Sequence, residues 1–266
     1  MNDEQQVFRR LAFCWHAFEH DGLTDTMVAG CLGHVDGPIL VVGSGQGLVS
    51  QGLQRAGFEV VSVDSEPEMA VQAQARRNIA TRVADFFELE ADPGIRTVLV
   101  NTGVVTPSLV RTRAEAFARQ LRRLVPVDGR VVLSYFQRTA FMDVAEEMGL
   151  RQSLSLLDSL CRRVIDHGER VQEALARCLP PAYPRNGLEA FPEEWADFQG
   201  QILAAYALYE GPQDPHTVLP QALRYVPFGL REDKRVHLMQ TLERAGLVLE
   251  HGWRKDSVHI SILRGV

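Results

Sequence analysis

The chain has 266 residues, 45% hydrophobic and 23% charged, and 34 acids against 28 Lys and Arg give a net charge of −6. That composition suits a globular protein able to bury a full core. The acidic balance argues against a protein that lives on nucleic acid, which needs a basic stripe. Residues 1–37 read as a helical lead-in, with Val7, Leu11, Cys14, Trp15 and Phe18 at helical spacing and a stop near Asp21-Gly22. Ile39–Val42 is a short apolar strand entering a glycine loop, and Leu48–Ala56 follows as a helix that Gly57 is placed to end. Glu59–Asp64 is a second strand, Met69–Asn78 a helix, Thr81–Asp85 a weaker third strand and Thr97–Thr102 a fourth. Ser108–Leu124 is a long helix, and Arg130–Phe136 a fifth strand after the turn at Asp128-Gly129. Near-continuous apolar strands alternating with helices predict a mostly parallel sheet covered on both faces.

From Gln137 to Phe228 the strand signal disappears. Pro192 opens a helix with Trp195, Phe198, Ile202, Tyr206 and Tyr209 along one face, while Pro180, Pro181, Pro184, Pro212, Pro215 and Pro220 break up the rest. This excursion exceeds what a connection needs, so 137–229 is read as an inserted helical cap. Its Tyr183, Trp195, Tyr206, Tyr209 and Tyr225 are candidates to line an acceptor pocket. Arg231–Ala245 is a helix ending at Gly246, and Leu247–Trp253 with Ser257–Leu263 form an antiparallel pair. The expected organisation is a lead-in over 1–37, one sheet domain over 38–136 and 230–266, and the cap.

The strongest local signal is Leu40–Gly57 (LVVGSGQGLVSQGLQRAG). Gly43, Ser44, Gly45, Gln46 and Gly47 lie between a strand and a helix, where glycine permits a sharp turn and close approach of a ligand. The backbone N–H groups and the helix dipole there favour a negative group. The dinucleotide pattern G-x-G-x-x-G is not met, because Leu48 stands where its third glycine belongs. Asp64, at the end of the next strand, is placed to accept hydrogen bonds from both ribose hydroxyls of an adenosine and to repel a 2′-phosphate.

The run of strand, Gly43-Ser44-Gly45-Gln46-Gly47, helix and then Val63-Asp64-Ser65-Glu66-Pro67-Glu68-Met69 resembles class I S-adenosylmethionine-dependent methyltransferases. The similarity extends to Ala84-Asp85-Phe86, where that family often places an acid near the adenine amine, to Leu124–Val132 and to the closing strand pair. It covers Pro38 to Phe136 and Arg231 to Leu263. The resemblance implies a Rossmann-like doubly wound sheet with a C-terminal antiparallel hairpin, and S-adenosylmethionine as cofactor. Gly43 to Gly47 would then cradle the methionine part, Asp64 the ribose, and Ser65, Asp85 and Phe86 the adenine. Asn101 and Thr102 would face the sulfonium and the acceptor. Tyr135 would offer an aromatic face to the sulfonium, and Trp15 and His16 would close over the methionine end. Plainer roles compete: a cap for Asp85, an Asx turn for Asn101, and core packing for Phe86 and Tyr135.

The sequence also departs from the family. Relatives that methylate nitrogen carry an acid or amide followed by two prolines and an aromatic, and this chain has Asn101-Thr102-Gly103-Val104. That argues against DNA or protein amides, and the motif set together with the long insertion points to a small-molecule acceptor under the cap. Asn101 is a poor Mg²⁺ ligand, and the eight histidines show no HExxH or clustered spacing, so no metal is expected. There is no G-x-S-x-G elbow. Two other readings stay open. The same cofactor can give up its 3-amino-3-carboxypropyl arm, or cyclise to azetidine-2-carboxylate, releasing methylthioadenosine. A nucleotide-binding oxidoreductase or a non-catalytic domain is the third. The four cysteines form no C-x-x-C pair, MNDEQQVFRR lacks an apolar leader, and no apolar run approaches the roughly 20 residues of a membrane span. A cytoplasmic protein without membrane or nucleic-acid partners is expected, with a homodimer left open.

Overall fold

The computed structural model describes residues 12, 21–139, 204–205, 208–214, 229–255 and 258–266. The chain divides into two compact units, Met1–Glu19 with Thr139–Val226 and His20–Arg138 with Pro227–Val266. Within the first, Tyr209 is half-buried and packs on Gly211, where a Cβ would lie 2.3 Å from the Tyr209 hydroxyl. Tyr183, Trp195, Tyr206 and Tyr225, like Trp15 and His16, lie outside the described residues.

The second unit is a sheet clad in helices. Its elements are α1 (Asp21–Cys31), β1 (Ile39–Val42), α2 (Leu48–Arg55), β2 (Val60–Asp64), α3 (Pro67–Arg77), β3 (Thr81–Val83), β4 (Thr97–Val100), α4 (Pro107–Leu124), β5 (Arg130–Phe136), α5 (Glu232–Arg244), β6 (Leu247–Lys255) and β7 (Val258–Gly265). The sheet has seven strands in the order β3-β2-β1-β4-β5-β7-β6. β1 to β5 pair in parallel, and β7 runs antiparallel to both β5 and β6. This is the doubly wound, mostly parallel sheet with a C-terminal hairpin that the strand pattern implied.

Strand residues alternate between two cores, as a pleat of period two requires. Leu40, Val42, Val98, Val100, Val131, Leu133 and Tyr135 pack on one face with Phe117 and Leu121 of α4 and Leu238 and Leu242 of α5. Ile39, Val41, Leu99 and Val132 pack on the other with Met27 and Cys31 of α1 and Val49 and Leu53 of α2. Burial in that second core pushes the Cys31 thiol up to about 12, which leaves it protonated and unreactive at neutral pH.

Three boundaries differ from the sequence reading, each for a local reason. β3 stops at Val83 instead of Asp85, because the Asp85 carboxylate leaves the ladder to cap a 3₁₀ turn at Phe86–Glu88. β4 stops at Val100 because the Asn101 side chain accepts the next backbone N–H. α1 begins where the lead-in helix was expected to stop. Its glycines weaken the helical signal, and Gly30 is required by packing: a Cβ there would lie 1.8 Å from Cζ2 of Trp253 on β6. Gly30→Ala is expected to push the indole out of place at a cost of about 2 kcal/mol. Thermal unfolding should then show a melting point lower by roughly 5 °C.

The β6–β7 ladder carries a bulge between Leu249 and His251. The extra residue, Glu250, reaches Arg130 Nε at 2.9 Å and Arg264 Nε at 3.1 Å, clamping β5, β7 and β6 together at one end.

Candidate functional site

The glycine loop stands at the C-terminal end of β1, in the middle of the sheet, where doubly wound folds place their ligands. Gly43 has φ +66°, and a Cβ on it would meet Val104 Cγ2 at 2.3 Å. Gly47 has φ +84°, and its Cβ would meet the Ile79 side chain at 3.1 Å. Only glycine satisfies both demands, a left-handed backbone and a wall at van der Waals distance.

The loop is fixed from four directions. Ser44 N donates to Val63 O at 3.0 Å, and Gly47 N donates to Ser44 O at 2.9 Å. Arg77 Nη1 donates to Gln46 O at 3.2 Å, while Gln51 Nε2 donates to Arg77 O at 3.3 Å, which ties the end of α3 to the loop. Asn101 Nδ2 donates to Gly43 O at 3.1 Å, and Asn101 Oδ1 accepts from Thr102 N at 2.9 Å. The decisive contact is from Gly45 N to Asp64 Oδ2, at 2.8 Å. The other oxygen, Oδ1, accepts from Glu66 N at 2.9 Å. Asp64 therefore joins the first and second strand ends directly.

This arrangement modifies one expectation. The N–H groups of Gly45 and Gly47 are spent inside the protein and do not face a ligand. What remains positive is the start of α2. Its N-cap is Gly47, with no side-chain cap and no acid in the first turn, so the dipole there is uncompensated by the helix's own residues.

The remaining site residues fall as follows. Ser44 and Gln46 are buried, and Ser44 Oγ has no hydrogen-bond partner among the described residues. Ser65 is exposed beside Asp64. Asp85 Oδ1 accepts from Phe87 N at 2.8 Å, so Asp85 does cap a turn, while no hydrogen bond to its Oδ2 is formed among the described residues. Phe86 is buried in the core against Phe117, with ring centroids 5.3 Å apart. Thr102 is half-buried beside Asn101. Tyr135 is fully buried, and its ring stacks on His259 at 5.5 Å, across from β7 and under α5. Burial pushes its hydroxyl up, with Ser261 and Arg235 pulling the other way. The structure thus brings Gly43 to Gly47, Asp64 and Asn101 into direct contact and places Tyr135 on the far side of β4. A cavity of about 50 Å³ lined by Leu40, Val61, Val63, Arg82 and Leu89 includes none of these residues and is too small for a nucleoside. Among the described residues no cluster of metal-ligating side chains occurs.

Four contributors escaped the sequence reading. Arg77, Ile79 and Val104 act through contacts distant in sequence. Glu66 is buried and caps α3, accepting from Glu68 N with Pro67 at the first helical position. Glu66-Pro67 was legible as a helix start.

Residues 40–133 match the family model described as "Methyltransferase domain". Over those residues, about a third of the chain, it is similar to methyltransferase domains. The match spans β1 to β5, so it contains the glycine loop, Asp64, Asp85 and Asn101. Magnesium protoporphyrin IX methyltransferase from Synechocystis, solved with S-adenosylhomocysteine bound, is 14% identical, with 93% of this chain and 84% of that one covered and a TM-score of 0.53. A SAM-dependent methyltransferase from Methanosarcina mazei is 11% identical, with 87% and 93% covered and a TM-score of 0.51. At such identities these two structures show the fold of the methyltransferase domain. No curated protein sequence matches the chain. No described helix is long and apolar enough to cross a membrane.

Proposed function

We propose that this chain transfers a methyl group from S-adenosylmethionine to a small-molecule acceptor. The contact from Gly45 N–H to the Asp64 carboxylate carries the reading, because it fixes loop and acid as one frame. The residues fit the cofactor. Asp64 Oδ2 accepts from Gly45 N and Oδ1 from Glu66 N, and the carboxylate's further lone pairs suit the ribose hydroxyls. The wall formed by Val104 and Ile79 leaves the loop no room for a Cβ, and Ser44 Oγ is a buried hydroxyl without a partner among the described residues. The start of α2 suits the carboxylate of the methionine part, and Asp85 Oδ2 suits an exocyclic amine.

Bound S-adenosylmethionine supplies an electrophilic methyl whose leaving group is a neutral thioether. The protein's task is alignment and exclusion of water. Asn101 does the first by pinning the loop after β4 to Gly43. The Asn101-Thr102-Gly103-Val104 loop lacks the proline and aromatic pattern of amide-methylating relatives, which supports a small acceptor.

The test is product identity. Incubation of the full chain with S-adenosylmethionine and an acceptor panel is expected to give S-adenosylhomocysteine only when an acceptor is present. Methylthioadenosine formed without acceptor, or thermal stabilisation by NAD but not by S-adenosylmethionine, overturns the proposal.

Ribose binding should also depend on pH. Burial pushes the Asp64 carboxyl above its ordinary value, and the N–H groups of Glu66, Gly45 and Ser65 pull it partly back. Only the ionised carboxyl can accept from both ribose hydroxyls. Affinity is therefore full above the raised pKa and lost as pH falls through it. The loss begins above the roughly 3.9 of a free aspartate. Titration calorimetry with S-adenosylhomocysteine at falling pH should show this, and Asp64→Asn should lack it.

A further inference from the structure

The turn after β3 does not belong to the sheet, yet the proposed cofactor site needs it, because it carries Asp85. Helix α4 holds it. Gln120, buried near the C-terminal end of α4, donates Nε2 to Phe86 O at 2.7 Å and to Leu89 O at 2.9 Å. Arg123, one turn on, donates Nη2 to Leu89 O as well. Earlier on the same helix, the Arg113 guanidinium lies 3.5 Å over the Phe87 ring, at a point where α4 departs from helical geometry. The turn has its own cap in Asp85 Oδ1, but a cap fixes only its internal shape. Its placement relative to Asp64 rests on the β2–β3 ladder that ends in Ala84 N to Asp64 O at 3.0 Å, on the burial of Phe86 and Leu89 in the core, and on this polar grip from α4.

We infer that Gln120, aided by Arg123, is the positioning residue for purine recognition: it holds the Phe86–Leu89 turn so that Asp85 Oδ2 meets a 6-amino group and rejects a 6-oxo group. The inference rests on the proposed cofactor. A 6-amino group donates to the carboxylate, whereas a 6-oxo group sets two acceptors against each other. A turn released from α4 keeps its acid but loses the fixed distance that makes the two purines differ.

The test compares S-adenosylhomocysteine with S-inosylhomocysteine by calorimetry on the full chain. The unaltered protein should prefer the 6-amino form by about tenfold or more, the worth of one charge-assisted hydrogen bond. Gln120→Leu should shrink that ratio to below about threefold, while Asp64→Asn weakens both ligands and keeps the ratio. Arg123 is exposed, so Arg123→Ala should fold normally and give an intermediate ratio, which covers the case of a poorly folded Gln120→Leu. A folded Gln120→Leu with the full ratio overturns the inference, as does an unaltered protein that binds both purines equally well. An unaltered protein that binds neither takes the cofactor reading down with it.

Discussion

Asp64→Asn is expected to weaken S-adenosylhomocysteine binding about 30-fold to 100-fold, the value of one or two hydrogen bonds to a charged acceptor. The carboxylate accepts from Gly45 N and Glu66 N at once. An asparagine has a single acceptor oxygen, so one of the two N–H groups would face an NH₂ group instead. The damage is double, since the ribose loses its acceptor and the loop loses its tie to β2. Calorimetry measures the affinity, and circular dichroism checks that the fold persists. Affinity within twofold of the unaltered protein would contradict the role given to Asp64.

Gly43→Ala is expected to cost about 3 kcal/mol of folding stability, from about 1 kcal/mol for a left-handed alanine and the rest for overpacking. The added methyl has no free volume, because Val104 Cγ2 already occupies its position at 2.3 Å. Either the loop after β4 moves away or the glycine loop does. In both cases the bond from Asn101 Nδ2 to Gly43 O is lost, and ligand affinity falls with it. The two costs separate in a double variant. Gly43→Ala with Val104→Ala should recover the overpacking share and leave the backbone share. Urea unfolding midpoints read both, and a double variant no more stable than the single one would show that Val104 is not the obstacle.

The parts of this protein legible from sequence are those fixed by neighbours along the chain. β1 and β5 read as strands because every residue in Ile39–Val42, and nearly every one in Arg130–Phe136, is buried. The glycine loop and Asp64 read as a pair because their spacing follows from one strand, one turn and one helix. Strand ends were overestimated where a polar side chain competes with the ladder for its own backbone, as at Asp85 and Asn101. Helix α1 was missed because Gly30 answers to Trp253, 223 positions away in the chain. Gln120 and Arg77 were missed for the same kind of reason. Their bonds to Phe86 O and Gln46 O span 34 and 31 residues, and no local pattern announces them.

The bulge at Glu250 also bears on how the sheet ends. β6 is the last strand in the sheet order among the described residues, and an outer strand is a template onto which another chain can be zipped. A residue out of register breaks the even spacing of donors and acceptors along that rim and coils it more strongly. The same residue that draws two arginines together thus also makes this rim a poor surface for strand exchange or fibril growth.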